Sequence, residues 1–404
     1  MNKTLGTTLL VSGTMIGAGM LAMPLTSAGI GFAATAVLLI LIWAMLSYSA
    51  LLFVEVYQTV PADAGIGTLS AKYFGRFGRI VSTAVMLIFL FALLAAYMTG
   101  GGSILATYLP PMGDAQTHKI VSVLLFTLLL GAVVVLGTLV IDGLNRLLFY
   151  SMLAVLVFVL IVMMPEVSMQ NLSAMPLDKA FIISACPVFF TSFGFHGSIP
   201  SFNKYLNGDV KALRIAILAG TSITLSVYML WQLGTHGVLT QAVFVEILKN
   251  DPTLGGMLSA MEEMTGSARI AKILQMFSVL ALVTSFLGVA LGLFETIEDM
   301  LQHGFGFKAK RLLLGVLTFA LPLLFALFYP EGFIQALQYA SQMFVFYAVV
   351  LPAALVWKAR RQYPHLPYRL WGGNWLLWLI IVLGLLIVNV PFFIRAGYLP
   401  EVVV

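Results

Sequence analysis

"SGTMIGAGMLAMP", residues 12–24, lies in a nearly uncharged stretch and holds Gly13, Gly17 and Gly19. In a helix interior each glycine is worse than alanine by about 1 kcal/mol, so a cluster of three marks a place where the first helix of the chain is interrupted. "CPVFFTSFGFHGSIPSF", residues 186–202, repeats the theme with Pro187, Gly194, Gly197 and Pro200. What two such interruptions mean depends on the medium around them.

Composition identifies that medium. With 61% hydrophobic and 9% charged residues and a mean hydropathy of +1.02, the chain has too little polar surface to cover a soluble globule of 404 residues. It is read as an all-α polytopic membrane protein forming a single domain over residues 1–404. Met1–Gly29 has the basic residue and apolar core of a cleaved signal peptide, but three glycines inside that core argue against one. At about 20 apolar residues per crossing, spans are predicted near 4–30, 33–57, 80–108, 119–141, 147–165 and 180–203. Five more follow near 213–236, 269–295, 312–329, 333–356 and 373–394. The single cysteine, Cys186, excludes a disulfide framework or a Cys-based metal site.

The basic residues orient these eleven spans. With a cytoplasmic amino terminus, the inside receives fifteen Lys and Arg, among them Lys3, Lys72, Arg76, Arg79, Arg146, Lys204, Arg311 and Arg360. The outside receives six: Lys119, Lys179, Lys249, Arg269, Lys272 and Arg395. This satisfies the positive-inside rule and puts the carboxyl terminus outside. The clusters are short and build no basic face, so nucleic acid is not an expected partner. Beyond the lipid bilayer and a small-molecule substrate, no obligatory protein partner is evident. The connection 237–268 is long enough for short helices that cap the outer end.

The two interruptions fall in spans one and six, which are five spans apart and cross in opposite directions. Broken helices at matching places in two halves point to an inverted-repeat transporter. The repeats are expected at 4–165 and 180–356, with the helix at 373–394 extra. Where a helix unwinds in mid-membrane, its N–H and C=O groups lose partners that lipid cannot replace and must face protein, water or ligand. A half-helix amino terminus suits a carboxylate, and a half-helix carboxyl terminus suits an ammonium or cation. The alternative for Gly13 and Gly17 is a GxxxG packing face.

Five stretches then carry a resemblance: "GTMIGAGMLAMP", "EVYQTVPADAGIGTL", "FTSFGFHGSIPS", "TSFLGVALGLF" and "FALFYPEGF". They resemble the hydroxy and aromatic amino acid permease family nearly end to end. That family sits within the amino acid, polyamine and organocation superfamily, whose members share a leucine-transporter-like five-plus-five inverted repeat. The resemblance implies a proton-driven importer of tyrosine in the bacterial inner membrane, with tryptophan, phenylalanine or a broader aromatic range as alternatives. In span one it implies that Thr14, Met15, Ala18 and Gly19 surround the substrate carboxylate, while Gly13 and Ile16 offer carbonyls to a cation. In span six it implies that Phe190, Thr191, Phe193, Gly194, Phe195 and His196 lie at or beside the amino group and side chain.

The composition of span six suits an aromatic substrate independently, since aromatic pairs add about 0.5–1.5 kcal/mol beyond burial; ordinary packing is the alternative for each phenylalanine. Tyr97 in span three and Gln342 in span ten are mid-membrane polar groups able to reach a phenol or to bond between helices. Thr284 and Ser285 in span eight match the hydroxyl pair that completes a sodium site in sodium-coupled superfamily members, although such pairs also bond their own backbone. No cofactor is expected; the resemblance implies the proton as coupling ion, with sodium as the alternative. His196 is the outstanding titratable group in mid-span, and its ordinary pKa near 6.5 suits loading and release of a proton. Glu55, Asp142, Glu295, Glu298 and Asp299 fall at span ends, where they relay, gate or pair with basic loops. An enzyme would need converging nucleophile, base or metal ligands, but His196 and His236 stand alone. A channel would need repeated filter loops, which are not evident.

Overall fold

The computed structural model describes residues 3–401 apart from 137, 267 and 305, and no strand occurs among the described residues. The side chains of Asp142, Arg146 and Asp299 lie outside the described ones. Among the described residues seventeen α-helices follow in order. The first half comprises α1 (Lys3–Met15), α2 (Ala18–Thr26), α3 (Gly31–Tyr57), α4 (Ile66–Ala106), α5 (Ala115–Leu136) and α6 (Thr138–Met163). A short α7 (Met169–Leu172) precedes α8 (Ala180–Ser192), α9 (Ile199–Tyr205) and α10 (Val210–Val238). Then come α11 (Gln241–Asn250), α12 (Leu254–Thr265), α13 (Ala268–Asp299), α14 (Arg311–Phe328), α15 (Phe333–Val345), α16 (Leu351–Gln362) and α17 (Gly373–Arg395).

Ten helical stretches among the described residues are long and apolar enough to cross a membrane, and the bent pair α1–α2 makes eleven. They match the predicted spans closely, with one clear extension. The third span was expected from residue 80, yet α4 begins at Ile66. Its first turns are a separate helical segment that carries Lys72 and ends at Gly75, whose backbone is not helical; Arg76 and Arg79 then open the helix of the span itself, ahead of its apolar run. Gly75 bends it there with φ 66°, a left-handed value that glycine adopts without a Cβ clash. The connection after α10 folds into α11 and α12, each opened by a threonine whose hydroxyl accepts a backbone N–H, Val243 for Thr240 and Gly256 for Thr253.

Packing places the broken helices inside. α1 lies against α10, α2 against α8, and α8 against α3 and α15. α13 runs beside α4 and α6. At the end of the bundle away from α11 and α12, the stretch 363–372 is bolted to α3 and α16. Arg360 Nε and Nη2 hold Glu55 Oε1 and Oε2 at 2.6 and 2.8 Å, Arg360 Nη2 also donates to the Leu370 carbonyl, and the Leu370 N–H donates to Glu55 Oε2 at 2.8 Å. Gln58 exchanges two hydrogen bonds with the Tyr368 backbone beside them. Thus Glu55 pairs with a base, one of the roles its position allowed.

Glu55 is fully buried, so Glu55→Ala strands Arg360 without a counter-charge and lowers stability by about 3–5 kcal/mol. Joint apolar replacement, Glu55→Leu with Arg360→Met, recovers most of that loss. Thermal unfolding of the purified proteins checks both, and an unchanged midpoint for Glu55→Ala would show the pair to be idle.

Candidate functional site

The break in span one is short and sharp. α1 ends at Met15, α2 begins at Ala18, and the two axes differ by 48°. Ile16 still donates to the Ser12 carbonyl at 2.9 Å, so the helix is lost only at Gly17. The opening N–H groups of a helix have no i−4 carbonyl. Of these, Ala18 N–H donates to Ser285 Oγ on α13 at 3.0 Å and Met20 N–H to the Gly17 carbonyl at 3.2 Å.

The break in span six is wider. α8 ends at Ser192, Phe193–Phe195 are non-helical, and a single tight turn over His196–Ser198 leads into α9. Gly194 N–H donates to the Thr191 carbonyl at 2.9 Å and Ser198 N–H to that of Phe195 at 2.9 Å. Pro200 in the first turn of α9 forfeits a hydrogen bond that no helix start could make.

The two breaks meet. Ser192 Oγ reaches the Gly19 carbonyl at 2.9 Å and its own Val188 carbonyl at 2.8 Å. A Cβ on Gly19 would stand 3.0–3.2 Å from Ser192, including its Cα, so glycine is what lets α2 and α8 approach. Tyr228 of α10 reaches both ends from below, with its hydroxyl 2.7 Å from the Met15 carbonyl and 2.7 Å from the Ser192 carbonyl. These are the last carbonyls of α1 and α8, the negative ends of two half-helices. A phenol has one proton. One of the two carbonyls therefore lacks a donor at any moment, a deficit that an ammonium group would fill.

The expected residues divide by what the fold does with them. Met15, Ala18, Gly19, Gly194 and Thr191 lie at the breaks, and Thr191 Oγ1 ties span six to α15 through the Leu337 carbonyl at 3.1 Å. Gly13 lies under the Phe149 ring and Gly17 against Ser285, both in closer contact than a Cβ would permit. Ile16 is buried. Thr14, by contrast, is exposed, and its hydroxyl donates back to Leu10 at 2.7 Å. Thr284 bonds back to Leu280 at 2.8 Å, while Ser285 faces the break. Gln342 donates to the Val388 carbonyl of α17, an interhelical role.

The aromatic residues form a continuous body. Phe344 of α15 touches Phe89, Phe190 and His196, with ring centroids 5.0, 5.2 and 5.4 Å away. Phe195 and Phe53 complete the cage around His196, while Phe193 packs edge-on against Tyr228. His196 is fully buried, neither ring nitrogen makes a hydrogen bond of ordinary geometry, and the Leu46 backbone is the polar group beside it. Tyr97 of α4 is buried near Tyr228.

Sequence reasoning missed Tyr228 and Ser192. A signal for the first existed: Thr221, Thr224, Tyr228, Gln232 and Thr235 recur at three- and four-residue intervals on α10, and all are buried. A polar stripe along an otherwise apolar span faces the bundle interior.

Comparison with known proteins supplies the remaining observations. The model of the tryptophan/tyrosine permease family matches residues 1–391. The tyrosine-specific transport system 1 of Haemophilus influenzae is 63% identical over the whole of both chains. Tyrosine-specific transport system 2 of the same organism is 51% identical over 99% of each. Glutamine transporter 2 of Aliivibrio fischeri is 35% identical over 95% of this chain and 98% of its own.

Proposed function

From the membership of this chain in the tryptophan/tyrosine permease family, we propose that it is a secondary active transporter importing an aromatic amino acid, foremost L-tyrosine. It works by proton symport with alternating access in the bacterial inner membrane, its amino terminus cytoplasmic and its carboxyl terminus periplasmic. The observation that carries this reading is the meeting of the two breaks at Tyr228. There two half-helix carbonyls share one phenolic proton beside the positive end of α2, an arrangement of opposite partial charges that suits the ammonium and carboxylate of one zwitterion.

Helix packing supports the five-plus-five repeat. Exchanging each span with the one five places on maps observed contacts onto observed contacts. Spans one and seven (α1, α10) correspond to six and two (α8, α3), three and ten (α4, α15) to eight and five (α13, α6), and four and three (α5, α4) to nine and eight (α14, α13). The substrate assignment is supported by the two tyrosine-specific relatives and by the aromatic body around span six. The relative named for glutamine, at lower identity, makes glutamine the competitor that tests the side-chain assignment. Proton coupling is assigned to His196; Gly13, Ile16, Thr284 and Ser285 would serve a cation in the alternative.

The test is uptake of radiolabelled tyrosine into vesicles containing the purified protein. Saturable accumulation is expected when the outside is made acid, with no response to a sodium gradient, and unlabelled tyrosine should compete better than tryptophan, phenylalanine or glutamine. Stronger competition by glutamine would overturn the substrate, and accumulation driven by sodium alone would overturn the coupling ion.

A further inference from the structure

A cavity of about 850 Å³ lies between α4, α5 and α13 beneath α12, and none of the residues lining it belongs to either break. That volume is typical of a small-molecule site, roughly 300–1,000 Å³. Its walls are apolar: Leu105 of α4, Phe126 of α5, and Ile273, Val279 and Leu282 of α13. Below the rim these walls carry no charge to pair with either end of an amino acid. Met276, on the same wall, is half exposed on the flank of a membrane-spanning helix, so the cavity opens sideways toward lipid rather than along the transport axis.

The rim is of a different character. Arg269 and Lys272, in the first turns of α13, are exposed and have no hydrogen bond or ion pair among the described residues. They are two of only six basic residues expected at that end of the bundle. Glu262 of α12 shares the rim but is already engaged. Tyr108, exposed at the end of α4, donates to Gln275 Oε1 at 3.1 Å across the mouth, at the level where interfacial tyrosines sit. An apolar slot opening to the acyl region, crowned by two unpaired cations, is complementary to one kind of molecule in that setting.

We propose that this cavity binds an anionic phospholipid from the leaflet on the α12 side, an acyl chain filling the slot and the phosphate resting on Arg269 and Lys272. Two basic contacts near the membrane surface support roughly a thirtyfold preference over a zwitterionic lipid with the same chains. The wall helix α13 also carries Ser285, which holds Ala18 N–H at the first break, so an occupied slot braces the element against which that break rests.

Native mass spectrometry of the purified full-length protein, in phosphatidylglycerol mixed with phosphatidylethanolamine of equal chain length, tests this directly. Selective retention of phosphatidylglycerol is expected. Arg269→Gln with Lys272→Gln should abolish the selectivity, and Val279→Trp, which fills the slot without changing charge, should remove the bound lipid. Independently of any variant, phosphatidylglycerol with a photoactivatable group in its acyl chain should label wild-type peptides spanning 101–108 and 273–282. Equal retention of both lipids, or labelling elsewhere only, would overturn the proposal. Displacement by glycerol phosphate would show a headgroup site without a chain, and displacement by tyrosine would show a substrate vestibule; either result overturns it too.

Discussion

Gly19→Leu is expected to leave the chain inserted in the membrane and to cut tyrosine uptake ten- to hundredfold. The reason is geometric. A Cβ at this position already meets the Cα of Ser192 at 3.1 Å, and a backbone atom cannot rotate aside. The larger side chain therefore wedges α2 away from α8, lengthening the contact of Ser192 Oγ with the Gly19 carbonyl and withdrawing Met15 or Ser192 from Tyr228. Overpacking of this kind costs about 1–3 kcal/mol, and every 1.4 kcal/mol is about tenfold in an equilibrium constant. Gly197→Leu is the control: it adds the same bulk in the neighbouring break, where a Cβ meets nothing within 4 Å. Gly19→Ala grades the effect, since one methyl asks Ser192 to yield only slightly. Uptake and direct binding, measured on protein quantified in the membrane, decide the matter; wild-type behaviour of Gly19→Leu would remove the meeting of the breaks from the mechanism.

Most of the architecture was legible because the features that build it are local. Apolar runs set the spans, and Gly17 and Gly194 with their neighbours mark the breaks, although clustering alone does not break a helix: Gly100, Gly101 and Gly102 stay helical inside α4. The start of α4 was not legible. Gly75 separates a short leading helix from the span, and Arg76 and Arg79, which end a hydropathy window but are good helix formers, open the span's own helix a turn before its apolar run. The change to wider helical turns at Phe346–Val350, which joins α15 to α16 into one span, left no mark either. At the site, the sequence named the broken segments, but not the group that joins them. Tyr228 acts through its placement between two carbonyls more than 170 residues apart in the chain, which no spacing rule encodes. Thr14 shows the converse: its position in a matching motif suggested a ligand, yet one helical turn back its hydroxyl finds Leu10, as threonines in membrane helices commonly do.

His196→Gln is expected to separate substrate exchange from proton-driven accumulation, on the reading that His196 couples the two. The imidazole is enclosed by Phe53, Phe195 and Phe344 with the Leu46 backbone beside it, so a proton taken up in this arrangement would be a buried charge without a counter-charge. Protonation must then favour a conformation in which the cage opens, and because Phe195 and His196 belong to the break itself, opening the cage moves the substrate segment with it. That differential interaction with two states is what coupling requires. Glutamine keeps hydrogen-bonding ability and approximate size but cannot take up the charge. With one proton carried per substrate, an imposed difference of one pH unit supplies about 1.4 kcal/mol, which limits accumulation to about tenfold. Wild-type protein in vesicles should approach that ratio, whereas the variant should stay near unity while still exchanging labelled for unlabelled tyrosine. Full accumulation by the variant would rule out the role, and loss of exchange would instead make His196 part of substrate recognition.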